Sequence, residues 1–229
     1  MTETERSPAS AGLFALAMAI FALIASPALA QGERRGGTPG EFDFFVFALS
    51  WSPGFCEAGG GDDKGRDQCR TGAGLGFVVH GLWPQFQRGF PTQCQSASVN
   101  PTRMAMEAAR EVFVEEGLAR HQWRRHGTCS GLSPSEYFAA VRTARDKVVV
   151  PPELRDVSAP RTTTAIELER SFVAANPGLR VDMMGVDCRG EVLQEVRVCM
   201  SRDLRGFVPC GEVDRRGCRA RSITIPPPR

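Results

Sequence analysis

The stretch FDFFVFALSW, residues 42–51, is apolar and aromatic, and Pro53 and Gly54 follow it directly. A short apolar run that is bounded by turn residues is typical of a strand buried on both faces. The sequence therefore predicts a buried strand at residues 42–51, and the neighbouring segments indicate what covers it.

A second strand is predicted in LGFVVHGLW, residues 75–83, after a polar loop at residues 57–68. Side chains alternate between the faces of a strand, so His80 and its neighbour Val79 are expected on opposite faces. Gly81 and Pro84 are expected to take the chain out of the strand.

Three helices are expected after the second strand. For the first, Asn100 is the predicted N-cap and Pro101 the first helical residue, with Met104, Ala108 and Val112 on its apolar face.

The second and third helices each begin with a capping-box pattern, in which an N-cap hydroxyl and a glutamate three residues later satisfy each other's backbone amides. Ser133 and Glu136 form one such pair, and Thr164 and Glu167 form the other.

Short strand-like segments return after the helices, at residues 179–188, 191–200 and 206–210. They predict a small antiparallel meander. The order of strands, helices and strands indicates an α+β fold: a central antiparallel sheet with several helices packed beside it, in one domain at residues 42–222. A proline-rich tail, residues 223–229, is expected to follow.

The N-terminus has the pattern of a signal peptide. Residues 12–25 carry no charge but are too few to span a bilayer, which takes about 20 residues. Ala28 and Ala30 form an Ala-x-Ala cleavage pattern, so residues 1–30 are predicted to be removed and the protein to be periplasmic or secreted. An uncleaved membrane anchor is the alternative. Residues 31–41 are Gly-rich and charged, which predicts a flexible lead-in.

Cysteine content and charge narrow the class of protein. The chain has eight cysteines, all beyond residue 30. An even number behind a signal peptide implies disulfides, and the absence of a C-x-x-C pair argues against a zinc ribbon. The spacing leaves the pairing open. The net charge is +2; residues 1–30 hold one Arg and two Glu, so the rest carries +3. This charge permits an anionic partner without requiring one.

All three histidines lie in two short segments, and HQWRRHGTC, residues 121–129, holds two of them. If this segment is helical, His121 and Arg125 are i,i+4 neighbours, and so are Gln122 and His126. One turn then presents two imidazoles, an amide and a guanidinium to one cleft. Trp123, which lies between the two histidines, is expected to anchor the turn in the core. Cys129, just beyond them, is expected to anchor it by a disulfide.

Two histidines and a fixed cation suit the cleavage of a phosphodiester. The imidazoles can act as base and acid near neutral pH, and the cation can neutralise charge that develops on the phosphate. RNA supplies its own nucleophile, the 2′-hydroxyl, so this reaction needs no metal. Two alternatives remain: a three-histidine zinc site, which Arg125 would disfavour electrostatically, and a structural role at the end of a helix.

HGLWPQ, residues 80–85, and HQWRRHGTC resemble the two active-site segments of the T2 family of ribonucleases. ALSWSPGFC, residues 48–56, resembles the first strand segment of that family, and the resemblance covers most of residues 42–218. It implies an α+β fold and metal-independent endonucleolytic cleavage of single-stranded RNA through a 2′,3′-cyclic phosphate to a 3′-phosphate, with low base specificity.

The resemblance also implies a role for each histidine. His126 resembles the general base that takes the proton of the 2′-hydroxyl. His80 resembles the general acid that protonates the leaving 5′-oxygen, and His121 resembles the histidine that holds the phosphate. No cofactor is implied.

Four further positions match or depart from the family pattern. Gln122 and Arg125 stand where the family has a glutamate and a lysine that stabilise the transition state. Trp83 resembles the aromatic residue on which a base stacks. Ser50 replaces a base-contacting glutamine of many relatives. Because a lost carboxylate makes neighbouring histidines less basic, we expect activity with a pH optimum away from strongly acidic values.

Disulfide pairing follows from the resemblance as well. The pairs implied are Cys94–Cys129, Cys188–Cys218, Cys199–Cys210 and, by what remains, Cys56–Cys69.

The sequence thus predicts an exported, monomeric endoribonuclease of the T2 type, with RNA as its partner, no metal, and no membrane attachment once residues 1–30 are removed. A non-catalytic RNA-binding relative disabled at Gln122 and a secreted metal-dependent hydrolase are the alternatives.

Overall fold

Strands of the central sheet come from both ends of the chain, and the helices come from between them. The structure, a computed structural model, describes residues 1–2, 32–60, 66–96 and 98–229. The predicted signal peptide, residues 1–30, lies outside them except for its first two residues. The chain from Gln31 to Arg229 packs as one unit. In the part of the chain that is described, no helix combines the length and apolarity needed to cross a bilayer.

The described residues form eight strands: β1 (Glu33–Arg35), β2 (Phe44–Trp51), β3 (Phe77–Gln85), β4 (Phe90–Thr92), β5 (Arg161–Thr163), β6 (Met184–Arg189), β7 (Val192–Met200) and β8 (Ile223–Ile225).

They also form seven α-helices: α1 (Ser52–Phe55), α2 (Arg66–Cys69), α3 (Arg103–Arg110), α4 (Glu116–Arg125), α5 (Pro134–Lys147), α6 (Ala165–Ala175) and α7 (Gly211–Arg215). A 3-10 turn, Gly127–Cys129, follows α4 closely.

The main sheet has the order β3-β2-β7-β8-β5, and β6 also pairs with β7. Its central strands are antiparallel; β7 and β8 are parallel and meet at one pair, Val192 and Thr224. Helices beside this sheet confirm the predicted α+β class. A separate ribbon joins β1 and β4 in parallel.

β2 is buried along its whole length, as its apolar run predicts. Phe45, Phe47, Leu49 and Trp51 belong to the main core, which helical side chains such as Phe138 complete. The alternate residues face the other way.

On that second face, Phe44 and Val46 form a small cluster with Cys199 and Cys210, and Trp83 packs against it. Thus the sheet has a core face and an opposite face, which we call the site face.

Both predicted capping boxes are present. Ser133 and Glu136 cap α5, and Thr164 and Glu167 cap α6. The sequence pattern is sufficient to predict these caps, because both partners of each hydrogen bond lie within four residues of sequence.

The predicted start of the first helix is wrong. Thr102, not Asn100, is the N-cap of α3, and its hydroxyl accepts from the amide of Ala105. The buried residues of this helix include Ala105 and Met106, whereas Met104 is 73% exposed. A position one residue along a helix lies about 100° around its axis, which is enough to exchange core for solvent.

Both flanks of the predicted domain differ from what composition indicated. Residues 33–35 of the predicted flexible lead-in form β1, and residues 223–225 of the predicted tail form β8, which joins the main sheet. The carbonyl of Pro226 accepts a hydrogen bond from the buried indole of Trp51, at 3.0 Å. In both segments, pairing with a distant strand determines the structure in spite of the local Gly and Pro content.

The third strand of the predicted meander, residues 206–210, does not form. This segment makes only an isolated bridge, from Phe207 to Met200.

Four disulfides link the described cysteines, and they are the pairs that the family resemblance implies: Cys56–Cys69, Cys94–Cys129, Cys188–Cys218 and Cys199–Cys210.

Candidate active site

Strand β3 carries His80 at a β-bulge. Leu49 of β2 pairs with Val79, and Ala48 pairs with Gly81, so His80 is the extra residue between them. Without a bulge, residues three apart on a strand face opposite ways. The bulge shifts this alternation and lets His80 and Trp83 both line the site face. Strand β3 therefore continues to Gln85 and does not end at Gly81 as predicted.

The end of α4 carries the second segment. His121, Gln122 and Arg125 are on the helix, and His126 is its C-cap. Trp123 is fully buried, and its indole donates to the carbonyl of Ser98 at 3.0 Å, which confirms its predicted place in the core. The spacing of HQWRRH therefore forms the predicted helical turn.

One cleft of about 340 Å³ collects every residue that the sequence predicted for the site. His80 and Trp83 enter it from β3, and the α4 segment supplies the others. Its lining residues are Val46, His80, Trp83, Gln85, Phe90, His121, Gln122, Arg125, His126, Arg197, Glu212, Val213 and Arg216.

Trp83 lies between the two proposed catalytic imidazoles. Its ring centroid is 5.2 Å from that of His80, edge to face, and 5.3 Å from that of His126, at an interplanar angle of 32°. Its indole N–H donates to Oε1 of Gln122 at 2.7 Å. Trp83 and Gln122 thus form a brace that spaces the histidines.

Gly81 is required for this brace. A Cβ atom there would lie 2.3 Å from Oε1 of Gln122 and 2.4 Å from Nε1 of Trp83. These distances are far below van der Waals contact, so only glycine leaves room for the hydrogen bond.

His126 is only 8% exposed, and its Nδ1 is buried without a hydrogen-bond partner among the described residues. Desolvation, and then the positive charges of Arg125, His80 and His121, lower the pKa of His126 to about 3. The imidazole is therefore neutral over the physiological range and able to accept a proton.

Arg125 is held by the chain's N-terminal ribbon. Its guanidinium donates to Oε2 of Glu33 at 2.9 Å, and the hydroxyl of Thr92 donates to Oε1 at 2.6 Å. β1 thus brings a carboxylate to the cleft from a segment that the sequence predicted to be flexible.

The sequence analysis did not identify the carboxylate that contacts His80. Nδ1 of His80 contacts Oε1 of Glu195, whose Oε2 accepts from Arg197 at 2.6 Å. Arg197 also donates to Asp187 at 3.1 Å. The available signal was the alternation in EVRV, residues 195–198, which places a glutamate and an arginine on one face of the strand and two valines on the other.

Arg216 and Glu212, 2.9 Å apart, form the far wall of the cleft. They lie on and just beyond α7, more than 85 residues from α4 in sequence, and no motif marked them.

The described residues contain no cluster of side chains suited to bind a metal ion. No group of three His, Cys, Asp or Glu side chains there could hold an ion. The three histidines share a cleft but do not converge on one point as ligands.

Known proteins resemble this chain over most of its length. A ribonuclease from Aeromonas hydrophila is 34% identical over 201 residues, covering 84% of this chain and 87% of that protein.

Two solved structures share the fold. An RNase-related protein from Calystegia sepium matches with a TM-score of 0.61 at 19% identity, covering 82% of this chain and 99% of that one. A mutant of RNase MC1, a bitter gourd enzyme, in complex with 5′-UMP matches with a TM-score of 0.59 at 20% identity, covering 80% and 98%.

The model of the ribonuclease T2 family matches residues 42–210 of the chain. This range includes both histidine segments and the strand that brings Glu195 to His80. With nearly three-quarters of its length inside that match and a ribonuclease relative along most of it, the chain belongs to the ribonuclease T2 family and is an RNA-cleaving endonuclease.

Proposed function

We propose that the protein cleaves single-stranded RNA by transesterification, through a 2′,3′-cyclic phosphate to 3′-phosphate ends, without a metal and with low base specificity. The observation that carries this proposal is the shared cleft of His80, His121, Arg125 and His126, in which one histidine is neutral and another contacts a carboxylate.

His126 is the general base in this proposal. A base must be unprotonated before it acts, and the low pKa of His126 keeps its ring neutral above about pH 3. It takes the proton of the 2′-hydroxyl as the oxygen attacks phosphorus.

The low pKa of His126 agrees with the expectation of less basic histidines, although burial is its first cause. It does not support the expected move of the optimum away from acid, because a weakly basic imidazole stays active at acidic pH.

His80 is the general acid. It gives its proton to the 5′-oxygen as the bond between phosphorus and that oxygen breaks. Hydrolysis of the cyclic phosphate then reverses the two roles, with a water in place of the 5′-oxygen.

Arg125 and His121 hold the phosphate, and charge on its oxygens in the transition state is stabilised by the guanidinium. Gln122 is almost fully buried and bonded to Trp83, so it contributes mainly by orienting that indole. Trp83 presents the remaining ring surface to a base, which is worth roughly 1–3 kcal/mol.

Export belongs to the proposal as well. The uncharged segment and the Ala-x-Ala pattern before Gln31 direct the chain to the periplasm or the exterior, where its four disulfides are stable.

The test is cleavage of an oligoribonucleotide and of its 2′-deoxy analogue in excess EDTA. We expect full cleavage of RNA, none of the deoxy analogue, and an early 2′,3′-cyclic product. His126→Ala and His80→Ala are each expected to lose at least 100-fold in kcat. Inhibition by EDTA points to a metal-dependent hydrolase, and tight RNA binding without cleavage points to a non-catalytic relative.

A further inference from the structure

Glu195 is a carboxylate buried behind the cleft. Its side chain is 6% exposed, one oxygen contacts Nδ1 of His80, and the other accepts from Arg197. A buried carboxylate is costly unless both oxygens are engaged, and here they are.

The contact crosses the sheet. Glu195 is on β7 and His80 on β3, with β2 between them. Two strand spacings are roughly 10 Å, so the two side chains meet only over small residues of the middle strand. The residues of β2 that pair with Arg197 and Glu195 are Ala48 and Ser50. A long side chain at position 50 would occupy this space.

The carboxylate stays ionised. Burial alone would raise the pKa of the Glu195 carboxyl, but His80 and Arg197 outweigh it and hold that pKa below its usual value. Arg197 is itself held by Asp187, so the chain of contacts runs from His80 to the surface of β6.

We propose that Glu195 is a positioning residue for catalysis, whose ionised carboxylate accepts a hydrogen bond from Nδ1–H of His80 and so directs Nε2–H at the leaving 5′-oxygen. The inference rests on the proposed function, in which His80 is the acid. As the bond from phosphorus to the 5′-oxygen breaks, the Nε2 proton moves to that oxygen and His80 becomes neutral. Glu195 keeps its charge throughout and touches no substrate.

The same contact bears on the substitution at Gln122. The family's carboxylate is absent from α4, and the carboxylate of Glu195 reaches the site from the opposite side, against the acid. Serine at position 50, another departure from the family pattern, leaves the room for it.

The test separates an effect on the acid from general damage. Two dinucleotides are compared, one with the natural 5′-oxygen and one with a bridging 5′-sulfur, whose thiolate leaves without a proton. Glu195→Gln is expected to lower kcat on the oxygen substrate by roughly 10- to 100-fold and on the sulfur substrate by less than about 3-fold, with KM unchanged. His80→Ala should show the same selectivity, more strongly.

Glu195→Asp keeps the charge but shortens the reach, and it serves if the glutamine variant does not fold. We expect an intermediate loss, again confined to the oxygen substrate. Glu169→Gln is the matched control, because Glu169 is also a buried glutamate but lies outside the cleft; it should leave both rates unchanged.

Equal losses on both substrates, or no loss on either, overturn the role of Glu195. The proposed function fails separately: His126→Ala must lower kcat at least 100-fold on both substrates, and a smaller loss there would refute the mechanism whatever Glu195 does.

Discussion

At the scale of single residues, burial sets the proton affinity of His126. The imidazole is packed beside Trp83 among three cationic groups, and each disfavours its protonated form. The folded protein therefore holds a weak base where an exposed histidine would be half protonated near pH 6.5.

This low pKa predicts a loss of stability in acid. The unfolded chain binds a proton at His126 below pH 6.5, and the folded chain does so only near pH 3, so acidification favours unfolding across that window. Between pH 6.5 and pH 4 the contribution is about 3 kcal/mol, at about 1.4 kcal/mol per pH unit. Urea unfolding at both pH values should show that His126→Gln loses less stability than the unmodified protein. Equal losses would contradict the assigned pKa.

Gly81 makes a second prediction at this scale. In Gly81→Ala, the new methyl group must displace Gln122 or Trp83, and the hydrogen bond between them is lost. We expect kcat to fall roughly 10-fold or more and the free energy of unfolding to fall by about 1–3 kcal/mol. Gly117→Ala, on α4 with open space around it, is the control and should change neither kcat nor folding adversely. Unchanged kinetics in Gly81→Ala would show that the brace is dispensable.

At the scale of elements, the disulfide Cys94–Cys129 joins the segment after β4 to the turn that ends α4. Its loop of 35 residues corresponds to a stabilisation of about 4 kcal/mol, against about 3 kcal/mol for the 13-residue loop of Cys56–Cys69.

Replacing each pair by alanines should separate stability from activity. Loss of Cys94–Cys129 is expected to lower the midpoint of thermal unfolding and also kcat, because the α4 segment is no longer fixed against β3. Loss of Cys56–Cys69 should lower the midpoint alone. If both variants keep full kcat at a temperature where they are folded, α4 is positioned by packing and not by its disulfide.

Elements whose determinants are local could be read from the sequence. The capping boxes of α5 and α6, the buried β2 and the turn HQWRRH each depend on residues within a few positions of one another. What the sequence did not show depends on long-range pairing. Glu195 meets His80 from 115 residues away, and β1 and β8 form only because distant strands accept them. The bulge at His80 is likewise a matter of register between two strands.

At the scale of the whole molecule, the cleft is less positive than its residues suggest. Each of its three arginines has a carboxylate partner: Arg125 pairs with Glu33, Arg197 with Glu195 and Asp187, and Arg216 with Glu212. RNA must therefore compete with these carboxylates for the guanidinium groups.

A weak dependence on salt follows. Each phosphate neutralised on single-stranded RNA contributes a slope of about −0.7 to log K against log salt. We expect log(kcat/KM) to fall with a slope no steeper than about −1.4. Glu33→Gln frees Arg125 and should lower KM several-fold at low salt while steepening the slope by about 0.7. Glu107→Gln, in an exposed pair with Arg103 outside the cleft, should do neither. A steep slope in the unmodified protein would mean that other cations bind RNA.

The two faces of β2 have a consequence for how this protein tolerates mutation. Substitutions at residues 45, 47, 49 and 51 enter the main core, whereas those at residues 46, 48 and 50 enter the face that carries the histidines and Glu195. A library covering residues 45–51 of β2 should therefore show a period of two: cellular abundance falls most at the odd positions, which fill the main core, and turnover per folded molecule falls most at the even ones. Natural selection for abundance and for turnover then acts most strongly on alternate residues of one strand.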